Sequence, residues 1–268
     1  MLTALPVAGH PDFTVTAVTC RGDHVRWSAP EVRTDYRIVL VRLGRFRRRV
    51  AGDTADMDTT MAYVGVPGEE ESFAHPAGGD VCTSISVTPH LWRSLADDAE
   101  APAPQAVYVD PPLDLAHRRL LAAAPCGDVG YALCEELLAL LAATIGRTAT
   151  GPTPLAPTPS ARDRALVAAA REAIVQAHPS ADTLFSLAEL LGVSPYRLSR
   201  AFPRALGVTV THYRQRVRIG RALDRLEAGE NSLGTLAADL GYADQAHLTR
   251  TMRQYLGHTP TAVRRLLT

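Results

Sequence analysis

Leu198-Ser199-Arg200-Ala201-Phe202 is followed, after three residues, by Leu206-Gly207-Val208-Thr209. The same phrase returns later as Leu248-Thr249-Arg250-Thr251-Met252, three residues, then Leu256-Gly257-His258-Thr259. Each copy follows a short Ala-containing run that ends in glycine: Ser186-Leu-Ala-Glu-Leu-Leu-Gly192 and Leu233-Gly-Thr-Leu-Ala-Ala-Asp-Leu-Gly241. A short helix, a glycine turn and a second helix with an outward Arg make a helix-turn-helix. The chain writes it twice within Thr183–Thr268.

In the first unit Leu187, Leu190 and Leu191 have helical spacing, and Ala188 lets the next helix come close. Gly192 supplies a turn of positive φ. Ser194 before Pro195 predicts an N-cap followed by a proline at the first helical position. Leu198, Ala201, Phe202 and Ala205 then share an inward face, leaving Tyr196 and Arg200 outside with Arg197 and Arg204 beside them. In the second unit Asp244 is the expected cap. Leu248, Thr251, Met252 and Tyr255 face in; Ala246, Arg250 and Arg253 face out, flanked by His247 and Gln254, and Gln245 lies in the first turn. Between the units, Val210, Tyr213, Val217, Gly220, Leu223 and Leu226 predict a connecting helix over Thr209–Glu227, about 28 Å long. Its arginines, Arg214, Arg216, Arg218, Arg221 and Arg225, are expected on exposed sides, within reach of phosphates.

Residues 162–268 resemble the DNA-binding domain of the AraC/XylS family of bacterial transcription regulators. The second unit carries the family signature, Gly241-Tyr242-Ala243-Asp244-Gln245-Ala246-His247-Leu248-Thr249-Arg250, closing with Gly257-His258-Thr259-Pro260. The resemblance implies seven helices, of which Pro195–Leu206 and Asp244–Leu256 read double-stranded promoter DNA. It places Tyr196, Arg200, Gln245 and Arg250 where family members touch bases. Arg197, Arg204, His247 and Arg253 complete the expected DNA-binding set. Two positions depart from the pattern. Pro203 falls inside the first reading helix, where it removes a backbone donor and is expected to kink or shorten the helix. Thr209-Val210 replaces the usual small residue and proline.

The charge is distributed as DNA binding requires. All 28 basic residues are Arg, a usage that points to a GC-rich coding sequence, and the formal net charge is zero. Residues 160–268 hold 15 Arg against 9 acids, +6, whereas residues 1–159 hold 13 Arg against 19 acids, −6. The basic portion is the one with the repeated motif. The four cysteines, Cys20, Cys82, Cys126 and Cys134, form no CxxC. With no signal peptide and no apolar run of spanning length, the expectation is a cytoplasmic protein that does not engage a membrane.

At 268 residues the chain suits two domains. Residues 12–90 read as strands: Phe13–Thr19 alternates, Tyr36–Leu43 is an apolar run, Leu43-Gly44-Arg45 is expected to turn into a second strand Phe46–Val50, and Met61–Val66 and Val81–Thr88 follow. Alternation within Arg45–Val50 puts Arg45, Arg47 and Arg49 on one side and Phe46, Arg48 and Val50 on the other. The strand order resembles the cupin-like effector domain of the same family. Pro112–Arg147 turns helical, with Leu133, Leu137, Leu140, Leu141 and Ile145 along one face; in that family such a pair dimerises the protein. Ala149–Ser160, with four prolines, reads as a semi-stiff linker, and Ser160 as the cap of the next helix.

The expected fold is therefore α+β in two domains: a cupin-like β-barrel sensor at 1–111, a dimerising helical pair at 112–148, a linker at 149–160, and an all-α domain with two helix-turn-helix motifs at 161–268. Tyr63 and His75 are candidate polar lining of a barrel pocket for a small-molecule effector. His24, His75, His90 and Cys82 lack the His-x-His spacing of metal cupins, so neither a metal nor any other cofactor is expected. No nucleophile elbow or phosphate loop marks an enzyme. The reading is a dimeric, sequence-specific transcription regulator with an RNA polymerase contact. The alternatives are an effector-independent dimeric DNA-binding protein and a barrel enzyme fused to a DNA-binding module.

Overall fold

The computed structural model describes residues 2–22, 24–96, 106–126, 128–149 and 160–267. The chain divides into two compact units, Met1–Thr150 with Leu266–Thr268, and Gly151–Arg265. The interior of the expected linker, 150–159, lies outside the described residues.

The first unit is antiparallel β with helices on it. Its strands are β1 (Leu2–His10), β2 (Phe13–Cys20), β3 (Glu31–Val32), β4 (Tyr36–Val50), β5 (Asp53–Asp58), β6 (Met61–Gly65), β7 (Glu70–Ala74), β8 (Asp80–Val87) and β9 (Ala106–Tyr108). Neighbours run in the order β1-β2-β8-β4-β6-β9, while β4 also pairs with β5 and β7, and β7 with β3. Strand β4 thus serves two layers. Its first half lies between β8 and β6, and its second half between β7 and β5.

The turn expected at Leu43-Gly44-Arg45 does not form: β4 runs through it for 15 residues. The register against β8 shifts between Val41 and Leu43, and Gly44 adopts φ +74. A bulge with a left-handed glycine bends a strand without ending it. Here it carries β4 from one layer to the other. A Cβ on Gly44 would stand 2.2 Å from the Gly79 carbonyl oxygen, so the two backbones meet where only glycine fits. The actual hairpin is Ala51-Gly52, with φ 48 and 86, and Val50 pairs with Asp53. Two positive φ values match the twist of the flanking strands.

Helices α1 (Pro89–Leu95), α2 (Pro111–Ala123) and α3 (Ala132–Ala149) complete this unit. Asp110 caps α2 at Leu113 N–H, 2.9 Å, and its carboxylate also takes Arg147 from α3 at 2.7 Å. Leu113 and Leu120 of α2 join Leu133, Leu137, Leu140 and Leu141 of α3 in one core with Ile38, Leu40, Ile85 and Trp92. These four leucines of α3 are at most 1% exposed. The face expected to dimerise the protein therefore packs inward, because it is the apolar face this sheet needs as cover. The outward side of α3 shows Leu138, Ala139 and Ala142.

The second unit is helical: α4 (Ala161–Val175), α5 (Leu184–Leu190), α6 (Pro195–Leu206), α7 (Val210–Glu227), α8 (Leu233–Asp239), α9 (Gln245–Leu256) and α10, which begins at Pro260 and runs to Leu267. Ser160, Thr183, Ser194, Thr209, Ser232 and Asp244 each cap a helix through the side chain. A polar side chain before every one of these helices satisfies backbone donors that the helix itself leaves open. Phe202 packs edge-on against Tyr213 of α7, with ring centroids 5.6 Å apart. Leu187, Leu198, Leu223, Leu236, Leu248 and Met252 are fully buried. Leu190, spaced helically with Leu187 and Leu191, is 45% exposed. No helix among the described residues is long and apolar enough to cross a membrane.

Candidate nucleic-acid interface

The second helix of each helix-turn-helix is α6 or α9, each 12 residues long. Both begin at a side-chain cap and end at a left-handed glycine, Gly207 or Gly257. The turn before each places Gly192 at φ 63 and Gly241 at φ 71. Pro203 does not shorten α6. Its ring faces solvent, and the helix continues to Leu206, where the Gly207 N–H donates to the Pro203 carbonyl. What proline removes is a donor to the Ser199 carbonyl one turn earlier.

Leu198, Ala201 and Phe202 hold α6 to the core, as Leu248, Thr251 and Met252 hold α9. The opposite sides are open. Tyr196, Arg200 and Arg204 lie exposed on α6, and Gln245, Arg250 and Arg253 on α9. Tyr196 is 74% exposed, unusual for a large aromatic. Two of the expected residues are engaged locally. Arg197 reaches back to Asp163 of α4 at 3.7 Å. His247 accepts the Ala243 N–H through Nδ1 at 3.4 Å and stands edge-on to Tyr242.

The connecting arginines are not the open row expected of them. Arg216 is 2% exposed. Arg218 lies 4.0 Å from the Tyr242 ring centroid and donates to the Leu240 carbonyl at 3.0 Å, tying α7 to the turn before α9. Arg221 donates to the Ile174 and Val175 carbonyls at the end of α4. Arg225 pairs with Glu230 at 2.7 Å and Asp239 at 3.1 Å. Arg214 approaches Asp182 at 4.0 Å. A helix of alternating Arg and apolar residues looks the same in sequence whether its guanidinium groups meet phosphates or neighbouring carbonyls. Only the packing of α4 and α8 around α7 decides it. Arg200, Arg204, Arg250 and Arg253, by contrast, have no ion-pair partner among the described residues.

The candidate effector residues lie in the first unit. Tyr63 is 2% exposed, with the Arg48 guanidinium 4.3 Å from its ring centroid. Burial pushes its hydroxyl well above the usual phenol range. Arg48 and Arg37 converge on Glu71, and all three are buried. The strand alternation of Arg45–Val50 holds, but its inward arginine meets a buried carboxylate from β7, a partner 23 residues away that no local pattern announces. Phe46 touches both candidates, its ring 6.3 Å from Tyr63 and 5.9 Å from His75. A cleft of about 400 Å³ opens instead beside β4 and β7, lined by Pro30, Arg49, Val50, Glu69, Glu70 and Ser72 among others, without Tyr63 or His75.

His75 has different company. Its ring centroid is 4.7 Å from that of His24, whose Nε2 is 3.9 Å from Cys20 Sγ. Asp80 Oδ1 lies 3.0 Å from His75 Nε2, and Asp80 Oδ2 accepts the Cys82 thiol at 2.9 Å. Burial, then Asp80, raises the Cys20 thiol above its ordinary value; Cys82 is raised further by the same causes. Sequence spacing missed this cluster because the loop after β2 and the β7–β8 turn bring it together, with His75 N–H donating to the His24 carbonyl at 2.9 Å.

Residues 187–266 match a protein family described as a helix-turn-helix domain. The transcriptional activator and DNA repair enzyme AdaA of Bacillus subtilis is 31% identical over 84 residues, 31% of this chain and 40% of AdaA. The arabinose operon regulatory protein of Escherichia coli is 30% identical over 79 residues, 30% of this chain and 27% of that protein. The chain thus spans less than half the length of either relative. Among solved structures, ToxT from Vibrio cholerae O395 aligns over 97% of this chain and 99% of its own at 10% identity, with a TM-score of 0.42. A cupin superfamily protein of Desulfitobacterium hafniense aligns over 33% of this chain and 78% of its own at 10% identity and a TM-score of 0.30. With the repeated motif, its two capped second helices and the family match in hand, residues 187–266 are a helix-turn-helix domain, similar in sequence to AdaA and the arabinose operon regulatory protein.

Proposed function

We propose that the protein is a sequence-specific DNA-binding transcription regulator that reads double-stranded DNA through α6 and α9. The observation that carries the reading is the contrast among its arginines. Those of α7 are engaged within the domain, while Arg200, Arg204, Arg250 and Arg253 stand exposed and without an ion-pair partner among the described residues on the open sides of the two second helices. Arg is the side chain best suited to bidentate reading of guanine O6 and N7. Tyr196 offers a flat apolar surface to a thymine methyl or a sugar, and Gln245 both a donor and an acceptor in the first turn of its helix.

Binding of Arg250→Ala and Arg200→Ala to a library of single-base variants, at two salt concentrations, tests this. The bound sequence is first selected from genomic DNA. Each substitution is expected to cost about 1–3 kcal/mol and to relax preference at one base pair. A uniform loss for Arg250→Ala, with base preferences intact and a salt slope reduced by about one, would demote α9 to a phosphate contact.

Control by a small-molecule effector and assembly as a homodimer are finer parts of the same proposal. The cleft beside β4 and β7 supports the first. The outward side of α3, with Leu138 42% exposed next to Ala139 and Ala142, supports the second, in place of the buried leucine face. Ligand screening by thermal shift and sedimentation of the intact chain read these two. A strict monomer that no small molecule stabilises would leave only a constitutive DNA-binding protein.

A further inference from the structure

We propose that Cys20, His24 and His75 bind a divalent transition-metal ion of the zinc class at the rim of the first unit. Their donor atoms lie within 4.8 Å of one another, although the residues come from the end of β2, the loop after it and the end of β7. Tetrahedral zinc with bonds of about 2.3 Å to sulfur and 2.0 Å to nitrogen holds such atoms about 3.5 Å apart. Cys20 Sγ and His24 Nε2 are already at 3.9 Å. The remaining approach is a side-chain adjustment rather than a refolding.

A second observation points to a cation ligand. His75 Nδ1 is buried without a hydrogen-bond partner among the described residues, and Asp80 Oδ1, although 3.0 Å from His75 Nε2, makes no well-aligned hydrogen bond there. His75 is 9% exposed and Asp80 6%. Buried polar atoms left this way cost stability unless something satisfies them. A metal ion held by His75 supplies it: the ring nitrogen gains a coordinate bond, and the Asp80 carboxylate, 3.0 Å from His75 Nε2, gains a polarised N–H to accept. Asp80 is itself fixed by the Cys82 thiol. This is the arrangement of a carboxylate behind a ligating histidine, which sets the tautomer of the ring.

The donor set selects the metal. One thiolate and two imidazoles suit zinc, and disfavour magnesium and calcium, which take oxygen. His24 is exposed, so the fourth position opens to solvent, where water completes the tetrahedron. Binding releases the Cys20 proton to solvent, as thiolate ligation requires. Such an ion would staple the β2 end to the β7–β8 turn. The turn is otherwise held there by the His75–His24 backbone bond and by the close approach of Gly79 to the Cys20 carbonyl oxygen, 2.3 Å from where a Cβ would stand.

The test uses the full chain, treated with chelator and kept reduced. It is titrated with Co²⁺, then with Zn²⁺ against a chromophoric chelator. Expected are visible bands of tetrahedral intensity and a near-ultraviolet thiolate-to-cobalt band. That band disappears in Cys20→Ser and stays in Cys134→Ser. His24→Ala, at an exposed loop position, keeps the far-ultraviolet dichroism of the parent and binds zinc at least tenfold more weakly. The proposal is overturned if the parent shows no thiolate–cobalt band, if the band survives Cys20→Ser, or if His24→Ala binds zinc like the parent. Should Cys20→Ser not fold, the His24→Ala comparison alone decides. DNA binding by the second unit is independent of all these outcomes.

Discussion

His117 of α2 is the residue whose chemistry most clearly records its surroundings. It is 2% exposed, and its Nε2 lies 2.8 Å from the Thr83 hydroxyl. Burial, with Arg42 and Arg118 adding to it and Asp114 opposing, depresses its pKa to about 3. The ordinary value is about 6.5. The folded state therefore holds the ring neutral while the unfolded chain takes a proton below about pH 6.5. The stability involved is present above that pH and is lost as pH falls toward 3. Between pH 7.5 and 5.5 the loss should be about 1.4 kcal/mol from this group, before carboxylates titrate. Denaturant unfolding of the parent and of His117→Gln at the two pH values measures it. An identical pH dependence in both would mean that the ring is not buried neutral. Nothing in Leu115-Ala116-His117-Arg118 announces this; the burial arises where α2 meets β8, an encounter across 34 residues. The exposed residues of α6 and α9 were legible for the opposite reason. Their environment is solvent on one side and their own helix on the other, so a period of 3.6 places Arg200 and Arg250 outward without any knowledge of neighbours.

At the scale of the element, β4 and α6 show how far a local rule reaches. Leu43-Gly44-Arg45 reads as a turn when its glycine is taken as punctuation between two strand-like runs, although an isolated glycine within a strand pattern equally fits a bulge. In β4 the same glycine makes a bulge, and the choice is made by Gly79 lying against it. Gly44→Ala should therefore suffer twice, from a left-handed backbone at φ +74 and from a Cβ 2.2 Å from a backbone oxygen. A loss of about 2–4 kcal/mol is expected. Gly52→Ala is the control: its φ is +86 but nothing lies within 4 Å, so strain alone applies, at about 1–2 kcal/mol. Equal losses from denaturant midpoints would refute the close approach. In α6 and α9 the caps were readable because each is local: Ser194 reaches the Arg197 N–H and Asp244 the His247 N–H, three residues away. Pro203 was readable as a proline but not as one the helix tolerates. Its ring faces solvent, and Phe202 beside it is anchored against Tyr213.

For the whole molecule, the second unit carries its own fully buried core, from Leu187 through Met252. Ser160 caps its first helix at the Asp163 N–H. A fragment of residues 160–268 is expected to unfold cooperatively and to bind the selected DNA more weakly than the full chain. A fragment without a thermal transition would show that the boundary at Ser160 is misplaced. The division of charge, with the basic excess in residues 160–268, was visible in the sequence because a count needs no geometry. How much of that charge DNA can use was not. Several arginines of α7 are taken up by Leu240, Ile174, Glu230 and Asp239. The salt slope of binding should therefore reflect the two second helices more than the total of 15 Arg.

The continuity of β4 has a consequence for how the first unit opens. A strand that ended at Gly44 would leave two layers joined by a loop, free to exchange their amide hydrogens as separate bodies. Because β4 carries on, the amides of Ile38–Leu40 in one layer and Arg47–Val50 in the other belong to one rod. Peeling either half away pulls on the other. Solvent deuterium would reach both in a single opening event, so slow exchange should mark the length of β4 as one protected block.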